Sequence, residues 1–196
     1  MKSQSLLSLL VLSFLFIVSC SDDSIPPEEN EEEVIDRVAL TFTPMLGGNA
    51  VLAEAIDPDG DGPQGFTIDE VNLQANTDYT LGITLENTAA NEELNEEINN
   101  EADEHQFFFA FTNDLFSDPA GDGNVDNRSD AINYADEDDD GLPLGLFTNW
   151  TTASTPSSGN EFRVVLKHQP GIKSATSTSE DGETDVDLTW AVTISQ

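Results

Sequence analysis

Three segments of this chain alternate apolar and polar residues with a period of two. In residues 79–86, 162–168 and 184–194, nearly every second residue is apolar or aromatic, and the residues between them are mostly polar or charged. Successive side chains of a β-strand point to opposite faces, so this pattern predicts strands with one face in a core and one in water. It is typical of antiparallel sheets that are packed on one side.

Weaker signals of the same kind complete the prediction of a mainly β fold. Further strands are predicted at residues 34–43, 50–56, 66–73, 106–112 and 146–153. Gly47 and Gly48 predict a hairpin turn after the first of these strands, and Phe107, Phe109 and Phe111 are predicted core residues. Short strands separated by turns rich in Gly, Pro and Asp predict a single antiparallel β-sandwich over residues 34–196, immunoglobulin-like in architecture.

One segment departs from the strand pattern. Residues 89–105 contain neither Gly nor Pro, and Leu94, Ile98 and Ala102 recur at i, i+4 and i+8. This spacing predicts one amphipathic helix that lies against the sandwich. Asn91 is its predicted N-cap.

The first twenty residues have the pattern of an export signal. Lys2 is followed by an apolar run over residues 6–18, which is too short to span a bilayer. The run ends in small residues and Cys20, the only cysteine of the chain, and this ending resembles the lipobox of bacterial lipoproteins. We therefore expect residues 1–19 to be a lipoprotein signal peptide and Cys20 to be the acylated residue.

An acidic segment follows the cysteine. Residues 21–33 are mostly acidic, contain two adjacent prolines and lack aromatic residues. Such a segment cannot bury enough apolar surface to offset its ordering entropy, so residues 20–33 are predicted to be a disordered tether. Asp22 and Asp23 resemble the signal with which Bacteroidetes lipoproteins reach the cell surface. We expect an outer-membrane protein that is surface-exposed and attached through its lipid anchor.

The charge of the chain excludes one class of partner. The 196 residues have a formal net charge of −33, and removal of residues 1–19 takes away Lys2 and no acidic residue, which leaves −34. Such a surface repels phosphate backbones, so nucleic acid is excluded as a partner. It attracts cations and basic protein surfaces. Solubility outside the cell is the alternative explanation for the same charge.

The two histidines of the chain lie close to carboxylates in the sequence. On the predicted helix Glu101 and His105 share one face, and His168 lies on the inward face at the end of a predicted strand. Together they predict a site for a borderline-soft divalent ion, with Zn²⁺ as the first choice. Further candidate ligands are Asp103, Glu104 and Glu183. The alternative is that His105 only ends the helix and that His168 is a half-buried residue at a strand end.

Two acidic loops have the D-x-D-x-D-G spacing of calcium-binding loops. Their carboxylates belong to Asp57, Asp59 and Asp61 in the first loop and to Asp136, Asp138 and Asp140 in the second. In this spacing alternate carboxylates converge and the glycine allows the turn. Neither loop has the bidentate Glu or the flanking helices of an EF-hand, so each predicts a weak Ca²⁺ site. Ordinary turn chemistry of Asp and Gly is the alternative.

The sequence indicates no particular reaction. It contains no G-x-S-x-G, no H-E-x-x-H, no phosphate-binding loop and no cysteine within residues 34–196. We therefore expect a non-catalytic lipoprotein that binds a divalent cation or a small ligand and assists uptake by an outer-membrane transporter. One alternative is a structural or adhesive module whose acidic loops hold Ca²⁺. The other is a secreted hydrolase with paired carboxylates.

Five stretches carry a resemblance to a known group of proteins. These are EADEHQFF at 101–108, LKHQP at 166–170, GETDVD at 182–187, DPDGDGP at 57–63 and LQANTDY at 73–79. Together they resemble a family of small, mostly uncharacterised Bacteroidetes lipoproteins, which implies a surface or envelope location and no catalytic residue. Members are sometimes labelled with a type 1 periplasmic-binding fold, a two-lobed α/β structure, whereas the strand pattern of this chain predicts a β-sandwich.

Overall fold

The structure is a computed structural model that describes residues 34–58 and 65–196. Its strands are β1 (Arg37–Pro44), β2 (Val51–Ile56), β3 (Thr67–Ile68), β4 (Val71–Gln74), β5 (Asp78–Asn87), β6 (Glu92–Glu93), β7 (His105–Phe111), β8 (Phe116–Asp118), β9 (Phe147–Thr152), β10 (Ser157–His168) and β11 (Glu183–Ser195), and the helix α1 covers Asn95–Asn100. No helix of the described residues has the length and apolar character needed to cross a bilayer. The predicted signal peptide, Cys20 and the tether lie outside the described residues.

The strands form two sheets that pack against each other, which confirms the predicted β-sandwich. One sheet has seven strands in the order β3–β2–β1–β5–β9–β8, with β6 paired to β5, and the other has the order β4–β11–β10–β7. The predicted strand at 66–73 is divided, because the chain crosses between the sheets after β3. As a result β4 joins the edge of β11 in a parallel pair, where the sequence predicted only antiparallel pairs.

Side-chain alternation decides which residues fill the space between the sheets. The inward positions of β5, β10 and β11 are buried, and so are the three predicted core phenylalanines of β7. Burying one large apolar side chain fully contributes about 1.5–3 kcal/mol to stability. The regular period of two in the sequence therefore becomes one continuous core.

An aromatic cluster joins the two sheets at the centre of this core. The ring centroid of Trp150 in β9 lies 5.1 Å from that of Phe162 in β10 and 5.5 Å from that of Phe109 in β7. Phe111 and Phe116 complete the cluster at 5.4 and 4.7 Å from Trp150. Most of these pairs are edge-to-face, a geometry worth about 0.5–1.5 kcal/mol per pair beyond the buried area.

The predicted helix over residues 89–105 is wrong in length. Helix α1 has six residues, Asn91 lies in a left-handed turn (φ 56°) instead of capping it, and His105 begins β7. The segment buries Leu94 and Ile98, a narrow apolar stripe for a long helix. Pairing with neighbouring strands satisfies the flanking backbone groups instead, through β6 on one side and β7 on the other.

The long loop between β8 and β9 closes the outer edge of β7. The backbone N–H of Phe109 donates to the side-chain oxygen of Asn124 (2.9 Å), and that of Phe107 donates to the carbonyl of Leu144 (2.8 Å). Edge strands expose unpaired backbone groups, and these bonds pair them. Strand β7 is therefore held by β10 on one side and by the loop on the other, which fixes the position of His105 at its start.

Candidate metal site

The two histidines meet at one end of the second sheet. His105, the first residue of β7, is the register partner of His168, the last residue of β10. Their rings stack with centroids 4.3 Å apart and an interplanar angle of 11°. Both face the core side of the sheet, where His105 is 0% and His168 4% exposed. Antiparallel pairing has thus brought together two residues that are 63 positions apart in the chain.

Glu101 brings a carboxylate to the same place from the turn that links α1 to β7. Its Oε2 lies 3.9 Å from Nδ1 of His105, and its side chain is 45% exposed. One donor atom each from Glu101, His105 and His168 lie within 4.8 Å of one another. Tetrahedral zinc with bonds of 2.0–2.1 Å needs donor atoms about 3.3 Å apart, so the Glu101 side chain must move and the nearly parallel rings must rotate before their lone pairs point at one ion.

The sequence predicted that Glu101 and His105 meet on a helix face, but the structure brings them together differently. Glu101 follows the last residue of α1 and its carbonyl accepts from the backbone N–H of His105 (3.1 Å), which closes a turn. The same carbonyl lies 3.1 Å from Nδ1 of the His105 ring. The spacing of four residues therefore works through a turn and the start of a strand.

A second carboxylate of the same turn touches the other histidine. Oε2 of Glu104 lies 3.2 Å from Nε2 of His168, close to the spacing of two ligands on one zinc ion. Glu104 is one of the three further candidate ligands; of the others, Glu183 is the exposed register partner of His168, and Asp103 is exposed. We call Glu101, Glu104, His105 and His168 the histidine site.

A third carboxylate at the histidine site was missed by the sequence analysis. Oδ2 of Asp185 lies 3.9 Å from Nε2 of His105, and its side chain is only 6% exposed. Alternation along β11 places Asp185 on the outward face with Asp187, so the period of two points it away from the core. A β-bulge reverses this direction, and bulges have no reliable signature in a single sequence.

In the acidic loop at residues 136–141, backbone N–H groups donate hydrogen bonds to two of the three carboxylates that were predicted to bind calcium. The carboxylate of Asp136 accepts from the backbone N–H groups of Gly145 (2.7 Å) and Phe147 (3.0 Å). Burial raises the pKa of Asp136 above its ordinary value, although these hydrogen bonds oppose the shift. Oδ1 of Asp138 accepts from Asp140 and Leu142 in the same manner (3.0 and 2.8 Å).

A buried lysine supplies the cation of this loop. Nζ of Lys173 lies 2.9 Å from Oδ2 of Asp138 and donates to the carbonyl of Ala102 (2.6 Å), and the two charged side chains are 0% and 2% exposed. Burial alone would raise the pKa of Asp138, but the hydrogen bonds from Lys173 and Leu142 outweigh it and hold that pKa below its ordinary value. We call residues 136–141 with Lys173 the lysine-closed loop.

The lysine-closed loop does not bring its three predicted calcium ligands together. Within the described part of the chain, two groups of three His, Asp or Glu residues bring donor atoms within 4.8 Å, and Asp136, Asp138 and Asp140 form neither of them. The physical reason is that backbone N–H groups and one ammonium satisfy the carboxylates of Asp136 and Asp138, two of the three that were expected to converge on an ion.

The other predicted calcium loop is only partly described. Asp57 is 5% exposed, and its backbone N–H donates to the carbonyl of Asp36 (2.8 Å). Asp59 and Asp61 lie outside the described residues, as does Cys20. The arrangement of the three carboxylates of this loop therefore stays a prediction.

The second group of close donor atoms is acidic throughout. It consists of Asp122, Asp126 and Asp130, in the loop that covers the edge of β7, and its members are exposed or half-buried. The spacing of four residues is a signal that the sequence analysis did not use. Exposed acidic groups are common on a chain with a net charge of −33, and we assign no function to this one.

Comparison with known proteins identifies no family or relative of this chain. Searches against protein-family models, curated proteins and solved structures find no match to this chain.

Proposed function

We propose that this chain is a non-catalytic, lipid-anchored envelope protein whose β-sandwich binds a divalent transition-metal ion, with Zn²⁺ as the first choice. The stacking of His105 and His168 across two strand ends, with Glu101 and Glu104 beside them, carries this proposal. Imidazole nitrogens and carboxylate oxygens are the donors that zinc and related ions prefer. The lipobox-like pattern at Cys20 supports the anchored location.

The burial of the histidines limits how an ion would bind. Both rings are almost fully removed from water, and a buried imidazole costs free energy unless its nitrogens interact with polar groups. Nδ1 of His105 lies 3.1 Å from the carbonyl of Glu101 and Nε2 of His168 lies 3.2 Å from the carboxylate of Glu104, so an ion would bind among groups that already interact. The carboxylates of Glu101 and Glu104 are 45% and 37% exposed, so the site opens to solvent on its acidic side.

The overall charge favours the same class of ligand. A net charge of −33 raises the local concentration of cations at the surface. Loss of any one ligand from a three- or four-donor site weakens binding sharply, whereas loss of a distant surface carboxylate changes only this general attraction. The two effects can therefore be separated by matched variants.

The test is a zinc titration of the chelator-treated full chain, followed by calorimetry and thermal unfolding. A ligand that binds only the folded state contributes about 2.7 kcal/mol at a hundredfold excess over its Kd. We expect micromolar Zn²⁺ to raise the unfolding temperature and His168→Ala to abolish the rise. Glu101→Gln should reduce it, and Glu96→Gln, an exposed residue of α1, is the matched control and should not.

Two results would contradict the proposal. One is a wild-type chain whose unfolding temperature does not respond to Zn²⁺. The other is a response that His168→Ala and Glu101→Gln leave intact. Because removal of a buried ring can also disturb the core, Glu101→Gln is the decisive variant: its side chain is nearly half exposed and holds no part of the core.

A further inference from the structure

A groove crosses the outer face of the seven-stranded sheet beside helix α1. Outward-facing residues of β1, β5 and β9 line it together with residues of α1, and its volume is about 560 Å³. Sites for small ligands commonly have volumes of about 300–1,000 Å³. The two histidines belong to strands of the other sheet, so the groove is separate from the histidine site.

Strand register places an exposed apolar residue at each end of one row across this face. Leu52 of β2 is the register partner of Thr41 in β1. Gly82 of β5 pairs with Thr41 on one side and with Phe147 of β9 on the other. Leu52 and Phe147 are 57% and 51% exposed. The row is therefore apolar at both ends and low in the middle, where it holds only a threonine and a glycine.

Gly82 determines where the ring of Phe147 lies. Glycine weakens the interior of a strand and often marks a place where another group approaches the backbone closely. A Cβ at Gly82 would lie 3.3 Å from Cε1 of Phe147, so the ring takes the space that a side chain would fill. The ring thus rests against the sheet while half of the residue stays exposed. The groove therefore contains an aromatic surface that is held in place and open to a ligand.

Neutral hydrogen-bonding groups lie beside this aromatic surface. Thr41 and Thr84 are half-buried, outward-facing threonines whose hydroxyl groups can both donate and accept. Asn95 of α1 forms part of the wall, and its amide accepts from the backbone N–H of Leu85 (2.8 Å) and donates to the carbonyl of Ile83 (2.7 Å). These two bonds tie the helix to β5. A groove whose wall is already fixed loses less conformational entropy when it binds a ligand.

We infer that this groove binds a neutral saccharide, with one sugar ring stacked on Phe147 and its hydroxyl groups bonded to the polar groups of the groove. A sugar ring has an apolar C–H face and a polar rim, so it needs an aromatic surface beside hydrogen-bonding groups. The described residues that line the groove include acids but neither Lys nor Arg, so an anionic sugar would meet like charge. A second copy of a chain with a net charge of −33 would be repelled for the same reason.

The test is affinity electrophoresis of the chelator-treated full chain in native gels that contain a neutral glucan, mannan or xylan, or alginate as an anionic polysaccharide. We expect at least one neutral polysaccharide to retard the wild type and alginate not to retard it. Phe147→Ala should raise the Kd about tenfold or more, as the loss of an aromatic anchor does. Thr41→Val keeps the shape of the side chain and removes its hydroxyl, so it should raise the Kd about 2- to 12-fold. Leu46→Ala is the matched control and should leave the Kd unchanged, because this side chain is 96% exposed and lies outside the groove.

A wild-type chain that none of the neutral polysaccharides retards would overturn the saccharide site, and dimers that Phe147→Ala dissociates would then assign this face to a second copy. Retardation that both groove variants leave intact, or that alginate produces equally, would also overturn it. Because the ring of Phe147 covers Gly82, Phe147→Ala can lower stability. Thr41→Val is then the decisive variant, with an unchanged unfolding temperature as the check on its fold. The chelator keeps these results separate from those of the zinc titration.

Discussion

The histidine site and the lysine-closed loop were both predicted to hold a divalent cation, and the fold treats them differently. In the lysine-closed loop the carboxylates of Asp136 and Asp138 accept backbone N–H groups, and the ammonium of Lys173 supplies the positive charge. In the histidine site two imidazoles face carboxylates of a turn and a bulge. Neutral imidazoles carry no charge of their own and ligate metals well.

The difference shows that the spacing of carboxylates does not by itself define a cation site. An acidic loop needs partners for its oxygens, and the protein can provide them from its own backbone and from a lysine distant in the chain. Lys173 lies 35 residues after Asp138, so no local sequence pattern predicts this ion pair. Changes to Lys173, Asp138 and Asp140 test whether the loop is closed by its lysine.

The largest effect is expected from Lys173→Met. This change leaves the buried charge of Asp138 without its cation, which typically costs about 3–5 kcal/mol of unfolding free energy. Urea unfolding of the full chain at neutral pH measures the loss. Lys167→Met is the matched control: this lysine is also buried, but it donates to a neutral hydroxyl, that of Thr184 (2.7 Å), and its loss should cost about 1.5–3 kcal/mol. Equal losses for the two variants would mean that the ion pair of Lys173 with Asp138 stabilises the protein no more than the hydrogen bond of Lys167 with Thr184.

A smaller, pH-dependent effect is expected from Asp138→Asn, about 1.5–3 kcal/mol at neutral pH, since an amide oxygen at this position still accepts the backbone hydrogen bonds of Asp140 and Leu142. Partners in the folded state hold the pKa of Asp138 below its ordinary value of 3.8, so its stabilisation is complete above that value. It is lost as the pH falls through the lower pKa of the folded state. The difference in unfolding free energy between wild type and variant should therefore shrink in acid.

Unfolding in urea at a series of pH values measures this difference. Asp140→Asn, at an exposed position of the same loop, is the control and should show little pH-dependent change. A difference that grows on acidification would contradict the role of Lys173 as the partner of the ionised carboxylate.

The smallest effect concerns calcium. Because the lysine-closed loop holds its own cation, Asp140→Asn should leave any calcium-induced shift of the unfolding temperature unchanged at millimolar Ca²⁺. Asp126→Asn, from the exposed acidic group of the neighbouring loop, is the parallel variant that reports on calcium bound elsewhere. A shift that is present in the wild type and lost in Asp140→Asn would restore the calcium interpretation of this loop.

Part of the histidine site could be predicted from the sequence. The inward direction of His168 followed from the period of two, because Phe162, Val164 and Leu166 mark the same face. The proximity of Glu101 to His105 was predicted from their spacing, although a turn and not a helix face produces it. The meeting of the two histidines was only one of two alternatives in the sequence, since strand order and register, which decide it, are not local properties.

The sequence by itself determined the β-sandwich, its inward-facing residues and the acidic character of the surface, because alternation and charge act over neighbouring residues. Only the tertiary structure decided which ionisable side chains contact each other. Pairing of β7 with β10 stacked the histidines, a bulge turned Asp185 inward, and Lys173 closed an acidic loop from a distant segment. Each of these contacts joins residues far apart in the chain, and burial between the packed elements is what makes their charges and hydrogen bonds matter.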